Sequence, residues 1–262
     1  MHLPALTVVM PAYNEAQGLP EFVREVAEAV RPHTDRLRIV VVDDRSTDGT
    51  GDVLDALALE LPELIVVRSP KNQGHGPTAL AAYRAGLETH PDAVLHVDGD
   101  GQFVGDDFPR VIDALEHVQV VHGVRTGRDE PWFRRLLTGS VGLGVAVLAR
   151  GRVPDVNTPL RLYRAGTLRR LLDACPSDAL VPHVHFSIAE QRHHVTRAFV
   201  PVRSIPRRGD SSTGTMWGAA PAKPKLPPKR LLQFSARAAR EVWRYDVLAR
   251  PVPPARPADL TA

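Results

Sequence analysis

In "AVLHVDGDGQF", residues 93–103, an apolar run passes directly into Asp98, Gly99, Asp100, Gly101 and Gln102. Side chains two apart on a strand share a face, so the spacing lets Asp98 and Asp100 converge while Gly99 leaves the backbone open to a ligand. Two adjacent carboxylates with no partner repel each other and tend to take up a proton, a conflict that a divalent cation removes. A polar turn between strand and helix is the plainer alternative, since Asp and Gly are common turn residues. Three more loops rich in functional residue types follow strand-like runs: "PAYNE" (11–15), "DDRSTDGT" (43–50) and "KNQGHG" (71–76). The last is glycine-rich and precedes a helix, as a phosphate cradle would, but it lacks the Lys-Ser/Thr ending of a P-loop.

The elements that must hold these loops alternate in type. Strand-like runs are "LTVVM" (6–10), "LRIVVVD" (37–43), "LIVVR" (64–68), "AVLHV" (93–97) and "VQVVHG" (118–123). Helical patterns lie between them, at Leu19 to Val30, Asp48 to Glu60, Pro77 to Glu88 and Asp106 to Glu116. Such alternation predicts an α/β fold with a mostly parallel sheet flanked by helices on both faces. In sheets of that kind ligands bind outside the carboxyl ends of the strands, which is where all four loops fall. Further on, "RLYR" (161–164) precedes a short helix through Ala174, Val184 to Gln191 reads as a helix and "VTRAFVPV" (195–202) as a strand. Gly218 to Pro228 reads as a Pro/Lys linker. Residues 230–245 form a basic amphipathic helix, fit either to lie on a membrane or to pack on the preceding domain. The last dozen residues are expected to be disordered.

Bulk properties narrow the class. The 262 residues are 43% hydrophobic and 24% charged, ordinary for a soluble globular protein. The single cysteine, Cys175, excludes an internal disulfide. No signal-peptide pattern and no run of about 20 apolar residues is visible, and "GSVGLGVAVLA" (139–149) is too short to span a bilayer. A cytoplasmic protein is therefore expected, free or peripheral on the cytoplasmic membrane face. The net charge of +3 and the late cluster of arginines suit phosphate groups, nucleic acid or an anionic membrane. Paired acids at the strand ends disfavour nucleic acid in the crevice. His183, His185, His193 and His194 read as solvated surface rather than a metal cluster, with an approach of His183 or His185 to a bound ligand left open.

The blocks "VVMPAYNE", "VVDDRSTDGT", "NQGHGPTALAAYRAG", "HVDGDGQF", "GVRTGR", "DVNTPLRLYR" and "RRGDSS", in this order and spacing from Thr7 to Trp217, resemble the family 2 glycosyltransferases, in particular dolichyl- and polyprenyl-phosphate mannose synthases. The resemblance implies a GT-A-like fold, the nucleotide-diphospho-sugar transferase architecture. It implies donor contacts from Pro11, Tyr13 and Glu15 to base and ribose, and from Asp43 and Asp44 to base, ribose or the metal shell. Ser46, Thr47 and Asp48 read mainly as caps of the next helix. Arg45 stands where the family often has Gly, and it can pair either with a carboxylate or with the donor.

"DGDGQ" matches the family's Asp-x-Asp-x-Gln, which implies that Asp98, Asp100 and Gln102 face Mg²⁺ or Mn²⁺ and the donor diphosphate, with Val97 and Gly99 beside the donor. Arg125, just beyond the fifth strand, matches an arginine near acceptor or sugar. "DVNTPLRLYR" resembles the family's Asp-x-x-Ser-Gly-Phe-Arg-Leu-x-Arg, aligning Asp155 and Arg161, although Thr158, Pro159 and Leu160 depart from its Ser-Gly-Phe. Arg161 reads either as a phosphate ligand or as a buried arginine tying Asp155 to the core. Arg208, then Arg207, are the candidates to close over the donor phosphates, and Asp100, Arg125, Asp155 and Arg161 form the catalytic set.

These expectations describe a metal-dependent inverting transferase in residues 1–217, followed by a tail in 218–262. It would move a hexose, mannose or glucose, from a GDP- or UDP-sugar to a polyprenyl phosphate. A hydroxyl acceptor, with Asp155 as base, is the alternative. A nucleotidyltransferase fits less well, because "PAYNEAQG" is a poor match for its opening loop. A non-catalytic nucleotide-binding module is the remaining class.

Overall fold

Strand β1, Leu3–Ala12, is buried along nearly its whole length, because its two faces look into two separate cores. Val8 and Met10 belong to one core and Val9 to the other, and the same alternation splits Ile39 and Val41 from Val40 and Val42. A strand covered on both faces has to be apolar at every position, which explains the unbroken hydrophobic runs. The structure is a computed structural model that describes residues 1–126, 153–209 and 229–248.

After β1 the chain forms α1 (Leu19–Val30), β2 (Thr34–Asp43), α2 (Thr50–Glu60), β3 (Leu64–Arg68), α3 (His75–Glu88) and β4 (Ala93–His96). There follow α4 (Phe108–Asp113), β5 (Val120–Thr126), β6 (Arg161–Arg164), α5 (Ala165–Asp173), α6 (Pro182–Arg192), β7 (Arg197–Arg203) and α7 (Lys229–Val242). The sheet order is β3-β2-β1-β4-β6-β5-β7. All neighbouring pairs are parallel except those of β6, which runs antiparallel to both β4 and β5. "RLYR" is thus itself a strand, inserted between β4 and β5.

One core lies under α1 and α4. Leu19, Phe22, Val23, Val26, Ala27 and Val30 recur at helical spacing and are all buried. Truncating Phe22, which is fully buried against Phe108, would cost about 3–5 kcal/mol. On the other face α3 lies so close to β1 that a Cβ at Gly86 would collide with Val9. The carboxyl ends of β1, β2, β3 and β4 consequently share one edge, and the loops there face each other. The boundary expected near 217, the stretch 139–149, the linker and the last dozen residues lie outside the described residues.

Candidate active site

At the end of β4 the backbone closes against β1, with Val97 N–H donating to Val9 O (3.1 Å) and Gly99 N–H to Pro11 O (3.1 Å). Val97 is fully buried in the core, so its side chain cannot touch a donor. Gly99 faces protein rather than ligand: an added Cβ would lie 3.1 Å from Pro11 O and 3.2 Å from Leu19. Both expectations are therefore corrected. These two residues hold the loop down, and their neighbours Asp98 and Asp100 carry the polar groups.

Asp98 Oδ1 is buried with no hydrogen-bond partner. Burial, followed by the charge of Asp98, pushes the Asp100 carboxyl up to about 6. Arg207 and His75 oppose that rise, so all four groups sit within electrostatic reach of one another. Gly101 turns through φ +66°, and Gln102 N–H donates to Asp100 Oδ1 at 3.2 Å. Two carboxylates, one with an orphaned oxygen, are a donor set that fits a hard divalent cation. Among the described residues no three His, Cys, Asp or Glu side chains enclose a metal. The remaining coordination positions would fall to water and substrate oxygens.

The neighbouring loops are fastened to each other. Asn14 N–H donates to Ser46 Oγ (2.9 Å), Thr47 N–H to Asn14 Oδ1 (2.8 Å), and Glu15 N–H to Thr50 Oγ1 (2.9 Å). Ser46 and Thr47 thus join loops instead of capping α2, whose first position follows Gly49 with no side-chain cap. Asp48 accepts from Thr50 N–H (3.0 Å) and Ala16 N–H (3.1 Å). Asp43 accepts from Ser46 N–H (3.0 Å). Asp44 gives one oxygen to Gln73 N–H and the other to Gly74 N–H, both at 2.8 Å. Its role here is to shape the loop ahead of α3, and that loop brings His75 within 3.7 Å of Asp98. His75 is 59% exposed at the side chain and is the site residue that motif reading missed. No spacing signal joins residue 75 to residue 98. Tyr13 is half-buried on the same edge, and Pro11 is buried in β1.

The arginines depart most from expectation. Arg161 is fully buried, donating to Val156 O (2.6 Å), Thr158 O (3.1 Å), Ser187 Oγ (3.2 Å) and Tyr163 Oη (3.3 Å), with Glu190 3.6 Å away. It cannot bind a substrate phosphate, and it does not hold Asp155. That task belongs to Arg125, which grips both Asp155 oxygens at 2.8 and 2.9 Å from inside β5 rather than beyond it. Arg207 forms a forked pair with Glu15, whose carboxyl burial nevertheless raises to about 7 against the pull of that arginine. Arg208, the first candidate to close over the donor phosphates, is engaged by protein groups. Its side chain crosses the back of the acid loop, donating to Gly101 O (3.1 Å) and Phe103 O (3.3 Å), pairing with Glu25 (2.5 Å) and lying over Phe22. Its backbone N–H meets Asp100 O at 3.1 Å, so residues 207–208 clasp the loop directly.

The histidines at 183 and 185 are buried, contrary to the surface reading. His183 meets Tyr83 Oη at 2.9 Å. His185 sits between Asp246 (2.5 Å) and Glu241 (2.9 Å), the latter in α7 and the former in the turn that continues it. Burial alone would lower its pKa, but bonds to these two acids raise it. Glu241 also accepts from Leu180 N–H at 2.9 Å, and Val242 packs on the cluster of Val153, Val156, Val184 and Ile188. The C-terminal helix therefore docks on the preceding fold.

With this geometry in view, comparisons with known proteins are informative. The profile of glycosyl transferase family 2 matches residues 7–172. Undecaprenyl-phosphate mannosyltransferase of Micrococcus luteus is 30% identical over 230 residues, 81% of this chain and 93% of that protein. Polyprenol monophosphomannose synthase of Mycolicibacterium smegmatis is 30% identical over 171 residues, 63% of each. Undecaprenyl-phosphate 4-deoxy-4-formamido-L-arabinose transferase of Aeromonas hydrophila is 29% identical over 71% of this chain, which spans 57% of that protein. Among solved structures, glucosyl-3-phosphoglycerate synthase from Mycobacterium tuberculosis with Mn²⁺, UDP and glucosyl-3-phosphoglycerate superposes with a TM-score of 0.66. At 18% identity, covering 94% of this chain and 81% of that one, it speaks to the shared fold alone.

Proposed function

The chain belongs to glycosyl transferase family 2, and from that premise we propose that it moves a hexose from a nucleotide sugar to a polyprenyl phosphate, with inversion and with a divalent cation. The observation that carries this reading is the Asp98–Asp100 pair, with a buried oxygen that accepts no hydrogen bond and a raised carboxyl at the edge where four strand-end loops meet. Asp98 and Asp100, with Gln102 beside them, would hold Mg²⁺ or Mn²⁺. A cation there neutralises charge that builds up on the departing nucleoside diphosphate.

The chain's own groups account for the rest. Tyr13, Asp43 and Glu15 line the donor side. Arg207 is poised to exchange Glu15 for diphosphate oxygens, because burial makes the Glu15 charge costly to keep. An oxygen of the acceptor phosphate attacks the anomeric carbon, the bond to the diphosphate breaks, and the nucleoside diphosphate leaves with the electron pair. A phosphate monoester is already ionised at neutral pH and needs orientation more than deprotonation. Arg125, fixed by Asp155, is the group that would orient it. This pairing disfavours a hydroxyl acceptor, since both Asp155 oxygens that would serve as base are held by a guanidinium.

No helix among the described residues is long and apolar enough to cross a membrane. Access to a lipid phosphate would then come from a peripheral contact. Arg230, Arg237, Arg240, Arg244 and Trp243 stay exposed on docked α7 and its continuation, which suits an anionic headgroup layer. The test is a panel of radiolabelled GDP- and UDP-sugars incubated with polyprenyl phosphate. Label from one donor is expected to become organic-soluble. Label that stays aqueous with every donor contradicts the proposal.

A further inference from the structure

Arg45 holds its backbone at φ +62°, a left-handed conformation that costs a non-glycine residue free energy and that glycine would adopt freely. The neighbouring bonds explain how it is kept there: Ser46 and Thr47 are tied to Asn14, and Asp43 to Ser46. Among the described residues its exposed guanidinium makes no hydrogen bond or ion pair. It stands at a cleft of about 280 Å³ that is also lined by Asp43, Thr47, Asp52, Arg68 and Ser69. This cleft lies at the ends of β2 and β3, and β1 alone separates β2 from β4 and its acid pair. Two strand spacings amount to about 10 Å. A base in the cleft would thus leave its ribose and phosphates leading toward Asp98 and Asp100.

The lining has a particular chemistry. It combines a forked donor, Arg45, with acceptor carboxylates, Asp43 and Asp52. Guanine presents two acceptors, O6 and N7, beside two donors, N1–H and the 2-amino group. A guanidinium matches the first pair and a carboxylate the second. Uracil presents a single N–H flanked by two carbonyls and can use only part of that set. We propose that Arg45 is a specificity-determining residue that selects a guanine nucleotide as donor. This rests on the reading of the chain as a nucleotide-sugar transferase, and it goes further by naming the base and the residue that reads it.

The experiment is calorimetric titration of GDP, UDP and IDP, with Mn²⁺ present, into the wild-type chain, Arg45→Gly and Arg45→Lys. The wild type should bind GDP at least about tenfold tighter than UDP. IDP, which lacks the 2-amino group, should fall between them. Arg45→Gly should bring GDP down to the UDP level and leave UDP unchanged, without lowering the melting temperature, because glycine relieves the backbone. Arg45→Lys should lose most of the preference, since an ammonium cannot reproduce the fork. Equal GDP and UDP binding by the wild type would overturn the inference while leaving the transferase reading intact. So would an Arg45→Gly variant that keeps the preference or weakens both nucleotides equally. If the wild type binds no nucleotide, the transferase reading falls and the inference falls with it.

Discussion

Two clusters of charge, both felt by His96, behave in opposite ways. Beneath α6, Arg161, Glu190 and His122 are all fully buried, with Glu190 2.9 Å from His122 and 3.6 Å from Arg161. In front, Asp98 and Asp100 sit at the open ends of the strands, with one oxygen unpartnered and one carboxyl raised. The rear cluster sets opposite charges against each other within the protein, although the Glu190 oxygens and the His122 ring nitrogens, like Asp98 Oδ1, complete no hydrogen bond. The front cluster is two like charges with, among the described residues, only the His75 ring facing them, at 3.7 Å from Asp98, while the guanidinium of Arg207 turns to Glu15 and that of Arg208 to Glu25. Incomplete electrostatics at an accessible edge mark a place for a ligand, whereas internal balance in a dry interior marks architecture.

Substitutions that separate stability from turnover would break or sharpen this contrast. The largest effect is expected beneath α6. Arg161→Ala leaves the buried Glu190 charge facing chiefly His122, whose protonation burial disfavours, and should cost about 3–5 kcal/mol in chemical denaturation. The folded fraction should keep its donor affinity. Asp100→Asn should do the reverse, lowering turnover at least about a hundredfold, equivalent to about 2.7 kcal/mol of barrier. Its melting temperature should hold or rise, because one of two repelling carboxylates is gone.

A smaller effect is expected where α7 docks. His185 is raised by Asp246 and Glu241, so its contribution is complete below about 6.5 and is lost as pH rises through its elevated pKa. His185→Gln should cost about 1.5 kcal/mol in acid solution and should flatten the fall in stability that the wild type shows on going alkaline. Smallest is the border between the two regimes, at Glu15. Its carboxyl is raised to about 7, so its contribution is full below about 4.5 and fades as pH rises through 7. Glu15→Gln should remove that part of the melting-temperature profile and leave the rest unchanged.

The contrast also explains what was legible in the sequence. Strands covered on two faces are apolar throughout, so β1 to β4 and α1 to α3 could be placed within a few residues, and the acid loop followed. The two expectations on Val97 and Gly99 failed because a motif gives the order of residues but not which way the backbone turns them. For Arg161 the buried alternative holds, but not the tie to Asp155, and the phosphate alternative falls for a related reason. A strand of only four residues, antiparallel and internal, carries no periodicity long enough to reveal that its arginine faces the core. His183 and His185 looked like surface because their partners, Tyr83 and the acids 241 and 246, are 56 to 100 residues distant in the chain. The amphipathic pattern of 230–245 identified a helix but could not decide between lipid and protein. Glu241 and, just past that pattern, Asp246 supply the docking bonds.

The central claim is that Asp98 and Asp100 form a cation site completed by the donor diphosphate. Its most direct test is the electron paramagnetic resonance signal of Mn²⁺ titrated into the protein with and without a nucleoside diphosphate. One Mn²⁺ per chain should bind in the presence of the nucleotide, more weakly in its absence, and not measurably in Asp98→Asn or Asp100→Asn. EDTA should halt transfer in the same preparation, and added Mg²⁺ or Mn²⁺ should restore it. Undiminished Mn²⁺ binding by both variants, or full turnover in EDTA, would contradict the claim.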